Sequence, residues 1–260
     1  MKKGIDLSHH NPTFNFNEAK KHIDFVMIRA GFGQNNEDRE FKRNVKECTT
    51  LKIPFGLYWF SYALTPEMAE READYVCDKA LGLNVEYPIA FDFEYGSIEY
   101  MRKHGIKINA ELIRSIAESF LKRVEERGYY AMLYTNRDFL LKYFAGLEKR
   151  YSLWFAEWNE ENPSVVCQMW QYGVDEELNV DGNYCYKDFP EIMRDINFMS
   201  KSQKQRVLDS IPNSRWNDYY RAAKTIMSGT AECVNILEMC RNMNLDFTIL
   251  NIVVEIAKGE

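Results

Sequence analysis

Along the first 150 residues, short apolar or alternating runs take turns with longer stretches of helical periodicity. The segments Gly4–Ser8, Asp24–Ala30, Pro54–Tyr62, Pro88–Tyr95 and Tyr129–Asn136 are rich in Ile, Val, Phe and Tyr, and their length suits strands. Between the last two, Leu112, Ile113, Ile116, Ala117, Phe120, Leu121 and Val124 recur at i, i+3, i+4 spacing, which predicts a helix over Asn109–Gly128. Asn109 can accept a hydrogen bond from the first helical turn, and Gly128 can adopt the left-handed conformation that ends one. Thr65-Pro66-Glu67 opens another helix, with proline in the first turn and an acid beside the positive end of the dipole. Repeated βα units of this kind produce parallel strands with helices packed outside.

After residue 150 the rhythm changes. The strand segments Ser152–Asn159, Val166–Gly173 and Asn179–Tyr186 are separated by only six and five residues. A parallel crossover takes about 10–12 residues, so these three strands are expected to run antiparallel, as a meander. Five βα units and three further strands supply eight, enough to close a barrel. The expected fold is therefore α/β, an irregular TIM-like barrel of five βα units plus three meandering strands, over residues 1–192. Beyond Pro190 the pattern becomes helical throughout, with apolar positions such as Ile226, Val234, Leu237, Leu250, Val253 and Ile256. Residues 200–260 are expected to form a small all-helical C-terminal module.

Composition narrows the chemistry. The 260 residues are 46% hydrophobic and include 16 Tyr, 16 Phe and 5 Trp, ample for a large core. Aromatics exceed what a core alone needs, and surplus rings suit sugar sites, where they cover the apolar faces of pyranoses. A net charge of −6 with no basic block argues against nucleic acid as a partner. No run of 18 apolar residues occurs, so no membrane insertion is expected. The opening MKKGIDLSHHN has no apolar stretch, so it does not read as a signal peptide. Cys48, Cys77, Cys167, Cys185, Cys233 and Cys240 form no C-x-x-C pair, so free and mostly buried thiols are expected. Nucleotide-binding glycine patterns and G-x-S-x-G are lacking, so no cofactor and no acyl-transfer chemistry is expected.

The acids carry the functional argument. In Pro88-Ile-Ala-Phe-Asp-Phe-Glu-Tyr95, residues two apart share a strand face, so Ile89, Phe91 and Phe93 point one way and Asp92 and Glu94 the other. Two acids facing a barrel interior are costly unless they are neutralised or used. Proximity also raises the pKa of one of them, which keeps a carboxyl protonated near neutral pH. Asp6 in Gly4-Ile-Asp-Leu-Ser8 and Asp181 in Asn179-Val-Asp-Gly-Asn183 sit on the first and last strands, which become neighbours when a barrel closes. Four acids at one mouth point to glycoside hydrolysis or to a divalent metal site. His9 and His10 are adjacent, so they cannot both face one ion from a regular element, and they read as loop-end structure.

Taken in order, Gly4-Ile-Asp-Leu-Ser-His-His10, residues 25–33 (FVMIRAGFG), 54–62 (PFGLYWFSY), Phe91-Asp-Phe-Glu94, Leu133-Tyr-Thr-Asn136, 153–158 (LWFAEW), Trp170-Gln-Tyr172 and Val180-Asp-Gly-Asn183 resemble glycoside hydrolase family 25. This is the N-acetylmuramidase type of lysozyme, and the likeness covers residues 3–190. The resemblance implies hydrolysis of the β-1,4 bond between N-acetylmuramic acid and N-acetylglucosamine in bacterial peptidoglycan. It implies that Glu94 is the general acid and that Asp92 is its partner, as base, nucleophile or stabiliser. Asp6 and Asp181 would complete the acidic mouth. Gly182 departs from the bulkier residue often found there, which leaves Asp181 expected to be more loosely held. Tyr58, Tyr62, Tyr134, Trp154 and Trp158 are expected as sugar platforms.

Two other readings share these residues: a non-catalytic glycan-binding module on the same fold, and a metal-dependent hydrolase built on the acid cluster. An amidase acting on the peptide stem is a third. In the tail, Ala222–Ile256, with Ile226, Gly229 and Leu245-Asp246-Phe247, loosely resembles small wall-binding repeats, which would raise local substrate concentration. Without a leader, the expectation is a phage-type lysin, made in the cytoplasm and acting on the wall after release, or a bacterial enzyme exported by a non-standard route.

Overall fold

The computed structural model describes residues 1–197, 214–216, 218–219 and 221–222. The chain divides into two compact units, Met1–Met193 and Arg194–Glu260. In the second, the described stretches are helical, and the remainder of the expected 200–260 module lies outside the described residues.

In the first unit, β1 (Lys2–Leu7), β2 (Phe25–Phe32), β4 (Phe55–Phe60), β5 (Ile89–Asp92), β6 (Ala131–Asn136), β7 (Ser152–Ala156), β8 (Met169–Asp175) and β9 (Val180–Cys185) form one sheet. A two-residue β3 (Asn36–Glu37) folds back on the end of β2. The order β1-β9-β8-β7-β6-β5-β4-β2 closes through a parallel β1–β2 pairing, in which Asp6 faces Met27. The eight-stranded barrel is the expected one.

One pairing differs from expectation. β7 and β8 run parallel, with Trp154 opposite Met169 and Ala156 opposite Gln171. The alternating pattern overstated both strands. β7 stops at Ala156 and β8 starts at Met169, which leaves residues 157–168 for the connection, long enough for a parallel crossover. That crossover is tied down by Glu157, whose carboxylate accepts from the Ser164 backbone N–H (2.6 Å) and hydroxyl (2.8 Å). Only β9 is antiparallel to its barrel neighbours β1 and β8, so the meander reduces to one hairpin.

Strand alternation sorts the core into two layers. Val26, Ile28, Leu57, Trp59, Ile89, Phe91, Leu133 and Phe155 face outward into the helices. In chain order the helices begin α1 (Phe16–Ala19), α2 (Phe41–Leu51), α3 (Pro66–Ala80), α4 (Tyr95–Lys103) and α5 (Ala110–Glu126), and α2, α3 and α5 pack on this face. The expected caps are present: Thr65 Oγ1 accepts from Met68 N–H (3.3 Å), and Asn109 Oδ1 from Glu111 N–H (2.9 Å). Arg123 of α5 and Arg127, which caps its C-terminal end, reach Asp74 of α3 at 2.9 and 2.6 Å, locking the two helices together.

Phe25, Met27, Tyr58, Ala90, Met132, Trp154 and Met169 fill the barrel. At its N-terminal end Phe25 stacks on Tyr87 (4.4 Å between centroids), and Phe189 lies 5.8 Å from Tyr87. Gly4 is glycine for this reason: a Cβ there would come within 2.4 Å of the Phe25 ring. Each such buried ring contributes roughly 1.5–3 kcal/mol, and together they seal this end. The opposite mouth stays open, and there the inward-facing residues become polar.

Four of the six cysteines, Cys48, Cys77, Cys167 and Cys185, are free and buried, and Cys233 and Cys240 lie outside the described residues. Among the described residues no helix is long and apolar enough to cross a membrane.

Candidate active site

β5 places Asp92 at its last position, three residues before the end of the strand expected over Pro88–Tyr95. Glu94 instead caps α4 (Tyr95–Lys103), but its backbone is extended (φ −131°, ψ −167°), so the alternation continues for two residues beyond the strand. Phe93 turns into the outer core, and Asp92 and Glu94 both turn into the mouth. Three bonds hold this corner. The Glu94 N–H donates to Ser97 Oγ (3.1 Å), the Ser97 hydroxyl to the Ser61 carbonyl (2.7 Å), and the Ser61 N–H to the Asp92 carbonyl (2.7 Å). Glu72 braces it from α3: this buried carboxyl accepts from the Tyr62 N–H at 3.1 Å, and burial pushes its pKa up to about 7.

The mouth encloses a cleft of about 440 Å³ lined by Asp6, Asp92, Glu94 and Asp181, so closure of the barrel brings all four acids together. β9 explains how Asp181 joins: running antiparallel, it presents its N-terminal half where the other strands present their C-terminal ends. Asp6 Oδ2 accepts 2.9 Å hydrogen bonds from both Gln171 Nε2 and Asn183 Nδ2. Each amide is oriented from behind. Gln171 Oε1 accepts from the Tyr134 hydroxyl (3.0 Å) and Trp158 Nε1 (3.1 Å), and Asn183 Oδ1 accepts from Trp154 Nε1 (2.7 Å). Every donor in this chain points toward Asp6, which fixes it as the acceptor at the end of a polarised network.

Burial dominates the electrostatics of all four acids. It lifts Asp6 to about 7, helped by the negative charges of Asp181 and Glu94 and opposed by the two amides. Asp92 is raised well above the ordinary carboxyl range by burial and then by the Glu94 charge. Glu94 is also raised, by burial and by Asp181, while its hydrogen bond with Asp92 and the Arg29 charge pull it back. Asp181 is raised by burial. Asp92 and Glu94 are therefore a hydrogen-bonded carboxyl pair that retains a proton, and that proton belongs to the pair. Asp92 is the more buried partner, and Glu94 reaches the open cleft.

The five expected aromatic platforms are distributed unevenly. Tyr58, Tyr134 and Trp154 line the cleft. Trp154, however, is only 1% exposed and packs edge-on against Tyr58 and Tyr134 as part of the floor. Trp158 is 47% exposed and offers an open ring face beside Gln171. Tyr62 is not among the cleft-lining residues: it packs against Phe32, Phe60 and Tyr100 on the outer rim. His9 donates through its backbone N–H (3.1 Å) and pairs through Nδ1 (2.8 Å) with buried Asp38, while His10, its ring tilted against that of His9, lines the cleft. Gly182 has a structural cause: a Cβ there would lie 2.2 Å from the Tyr172 hydroxyl, so glycine lets that ring pack against β9.

Sequence reasoning assigned no role to Gln171, Asn183 or Arg29. Gln171 and Asn183 occupy inward strand positions among apolar neighbours, and a buried amide in such a place is the signal that could have found them. Arg29 follows Met27 on the inward face of β2 and lines the cleft, its guanidinium 4.9 Å from the Phe60 ring centroid. Among the described residues no group of three or more His, Cys, Asp or Glu side chains is arranged to hold a metal ion.

The chain matches Glycosyl hydrolases family 25 over residues 5–181. No curated protein sequence matches it significantly. Among solved structures it is similar to the CTP1L endolysin, at TM-score 0.63 and 18% identity, covering 75% of this chain and 70% of that one. It is similar to the catalytic domain of endolysin ply40 from bacteriophage P40 of Listeria monocytogenes, at TM-score 0.60 and 23% identity, covering 75% of this chain and 97% of that one. The modular autolysin LytC of Streptococcus pneumoniae, solved with a synthetic peptidoglycan ligand, matches at TM-score 0.57 and 26% identity, over 70% of this chain but only 46% of that one. A family match running through most of the barrel, joined to an independent likeness in fold, places the assignment beyond the individual motifs: the chain belongs to glycosyl hydrolase family 25 and is a glycoside hydrolase.

Proposed function

We propose that this glycoside hydrolase is a muramidase that cleaves the β-1,4 bond between N-acetylmuramic acid and N-acetylglucosamine in bacterial peptidoglycan, with Glu94 as general acid. The observation that carries the reading is the proton-retaining Asp92–Glu94 pair at the one open mouth of the barrel. Glu94 is the member that reaches the cleft, so it delivers the proton to the leaving oxygen as the glycosidic C–O bond breaks. Asp92, behind it, shares that proton with Glu94 until it is transferred.

The contact between the two carboxyls also bears on Asp92. A retaining pair that flanks the scissile bond stands about 5–5.5 Å apart, with sugar between. Hydrogen-bonded carboxyls leave no such gap, which favours Asp92 as proton partner over Asp92 as covalent nucleophile. The reaction then runs with help from the substrate's own acetamido oxygen, a recognised exception to the two-carboxylate scheme. The acetamido oxygen bonds to the anomeric carbon as the leaving oxygen departs; water then displaces it there, restoring the acetamido group, and gives a proton back to Glu94. Asp181, on the facing strand, offsets positive charge developing on the sugar ring, and Asp6 adds to this once it is ionised.

The likeness to endolysins supports action on the cell wall after release from the producing cell. A wall-binding role for residues 200–260 belongs to the same reading.

The test is reducing-end release and turbidity loss on purified peptidoglycan, comparing wild type with Glu94→Gln and Asp92→Asn. Glu94→Gln should lose at least about a hundredfold in rate, the scale for removing a general acid. Near-wild-type rates in that variant would overturn the mechanism. Release of new amines instead of reducing ends would make the enzyme an amidase, and loss of activity on chelation would favour metal-assisted hydrolysis.

A further inference from the structure

One charged group in the cleft is not used by the reaction above. Arg29 extends from β2 into the mouth that holds four acids, yet among the described residues it forms no ion pair with any of them. Its Nε is buried and has no hydrogen-bond partner. The guanidinium is held instead by two aromatic rings, with Cζ 4.9 Å from the Phe60 centroid and 5.2 Å from that of Phe32. Leaving a buried N–H unpaired costs free energy, and a guanidinium clamped in place with its fork unfilled is prepared for a planar, bidentate oxyanion.

We propose that Arg29 is the carboxylate-binding site of the cleft and takes a carboxylate borne by the muramoyl unit of the glycan. A singly charged, flat anion suits this position. A phosphate dianion would face the full repulsion of the neighbouring acids, whereas a carboxylate matches the two-pronged donor with half the charge. On a glycan strand without peptide stems the carboxylate is that of the lactyl ether. On an intact strand the lactyl group is amidated, and the carboxylates belong to the stem. The site makes the enzyme read the muramoyl residue by charge. It rests on the muramidase reading above.

The experiment compares kcat/KM on stem-free glycan strands with free lactyl carboxylates and on the same strands methyl-esterified, for wild type, Arg29→Gln and Arg29→Lys. Wild type should prefer the free acid by about tenfold, the scale of a charge-assisted hydrogen bond. In Arg29→Gln the preference should vanish or invert, because the acids then repel the carboxylate unopposed. Arg29→Lys keeps the charge without the fork and should fall between. Intact peptidoglycan forms the second arm: if Arg29→Gln lowers kcat/KM there and not on stem-free strands, the carboxylate is supplied by the stem. Equal rates of wild type on free and esterified strands, together with no effect of Arg29→Gln on intact peptidoglycan, would overturn the proposal. So would a free-acid preference that survives in Arg29→Gln.

If wild type releases no reducing ends from any of these substrates, the muramidase reading fails by itself. Arg29 is then tested by binding of N-acetylmuramic acid against its methyl ester, followed by tryptophan fluorescence. Preferential binding of the free acid that is lost in Arg29→Gln supports the site, and equal binding overturns it.

Discussion

Asp6 couples the chemistry of the mouth to the stability of the barrel. Its carboxyl is buried and its pKa is raised from 3.8 to about 7. Folding therefore favours its protonated form, so the wild-type fold is fully stable in this respect below the unfolded pKa and loses stability as pH rises toward 7. At 1.36 kcal/mol per unit, the penalty is about 2 kcal/mol at pH 5 and about 4 kcal/mol at pH 8, where it levels off. Asp6→Asn removes the ionisation and keeps an oxygen able to accept from Gln171 and Asn183. Any pH-independent cost of the new amide cancels when the two pH values are compared. The variant should thus gain about 2 kcal/mol relative to wild type on going from pH 5 to pH 8, while losing glycosidase activity. Urea unfolding followed by tryptophan fluorescence measures this, because Trp59, Trp154, Trp158 and Trp170, four of the five tryptophans, lie in the barrel unit. An identical stability difference at the two pH values would refute the claim that the mouth holds Asp6 against ionisation.

Asp181 raises both Asp6 and Glu94 through its charge, so Asp181→Asn should shift the alkaline limb of the kcat/KM profile to lower pH. An unmoved limb would remove Asp181 from the electrostatics of the site. Gly182→Ala places a methyl group 2.2 Å from the Tyr172 hydroxyl, which also donates to Asp175 Oδ2 at 2.7 Å. The overpacking should destabilise the barrel by about 1–3 kcal/mol, read as a fall in Tm. An unchanged Tm would show that the ring moves away without cost.

Much of this architecture is legible in the chain because it depends on covalent geometry and nearby residues. The two-residue period of a strand turns Asp92 and Glu94 to the same side whatever surrounds them, even though the strand itself ends at Asp92. The helix over Asn109–Gly128 begins on its Asn cap, and Thr65 caps the helix that follows it. Asp6 and Asp181 could be assigned to one mouth because closure of a barrel makes its first and last strands neighbours.

Other features depend on atoms far apart in sequence. The direction of β8 relative to β7 followed from where each strand ends, and that is decided by the barrel's register and not by local alternation. Tyr62 and Trp158 carry equally suitable rings, yet packing turned one toward Tyr100 and left the other open beside Gln171. Gln171 and Asn183 reach Asp6 across 165 and 177 residues of chain. The pairing of Asp92 with Glu94, and the clamped guanidinium of Arg29, likewise depend on the enclosure of the mouth. Periodicity determines which face a side chain occupies. Its partner, its desolvation and hence its protonation state are set only when the barrel closes and excludes water.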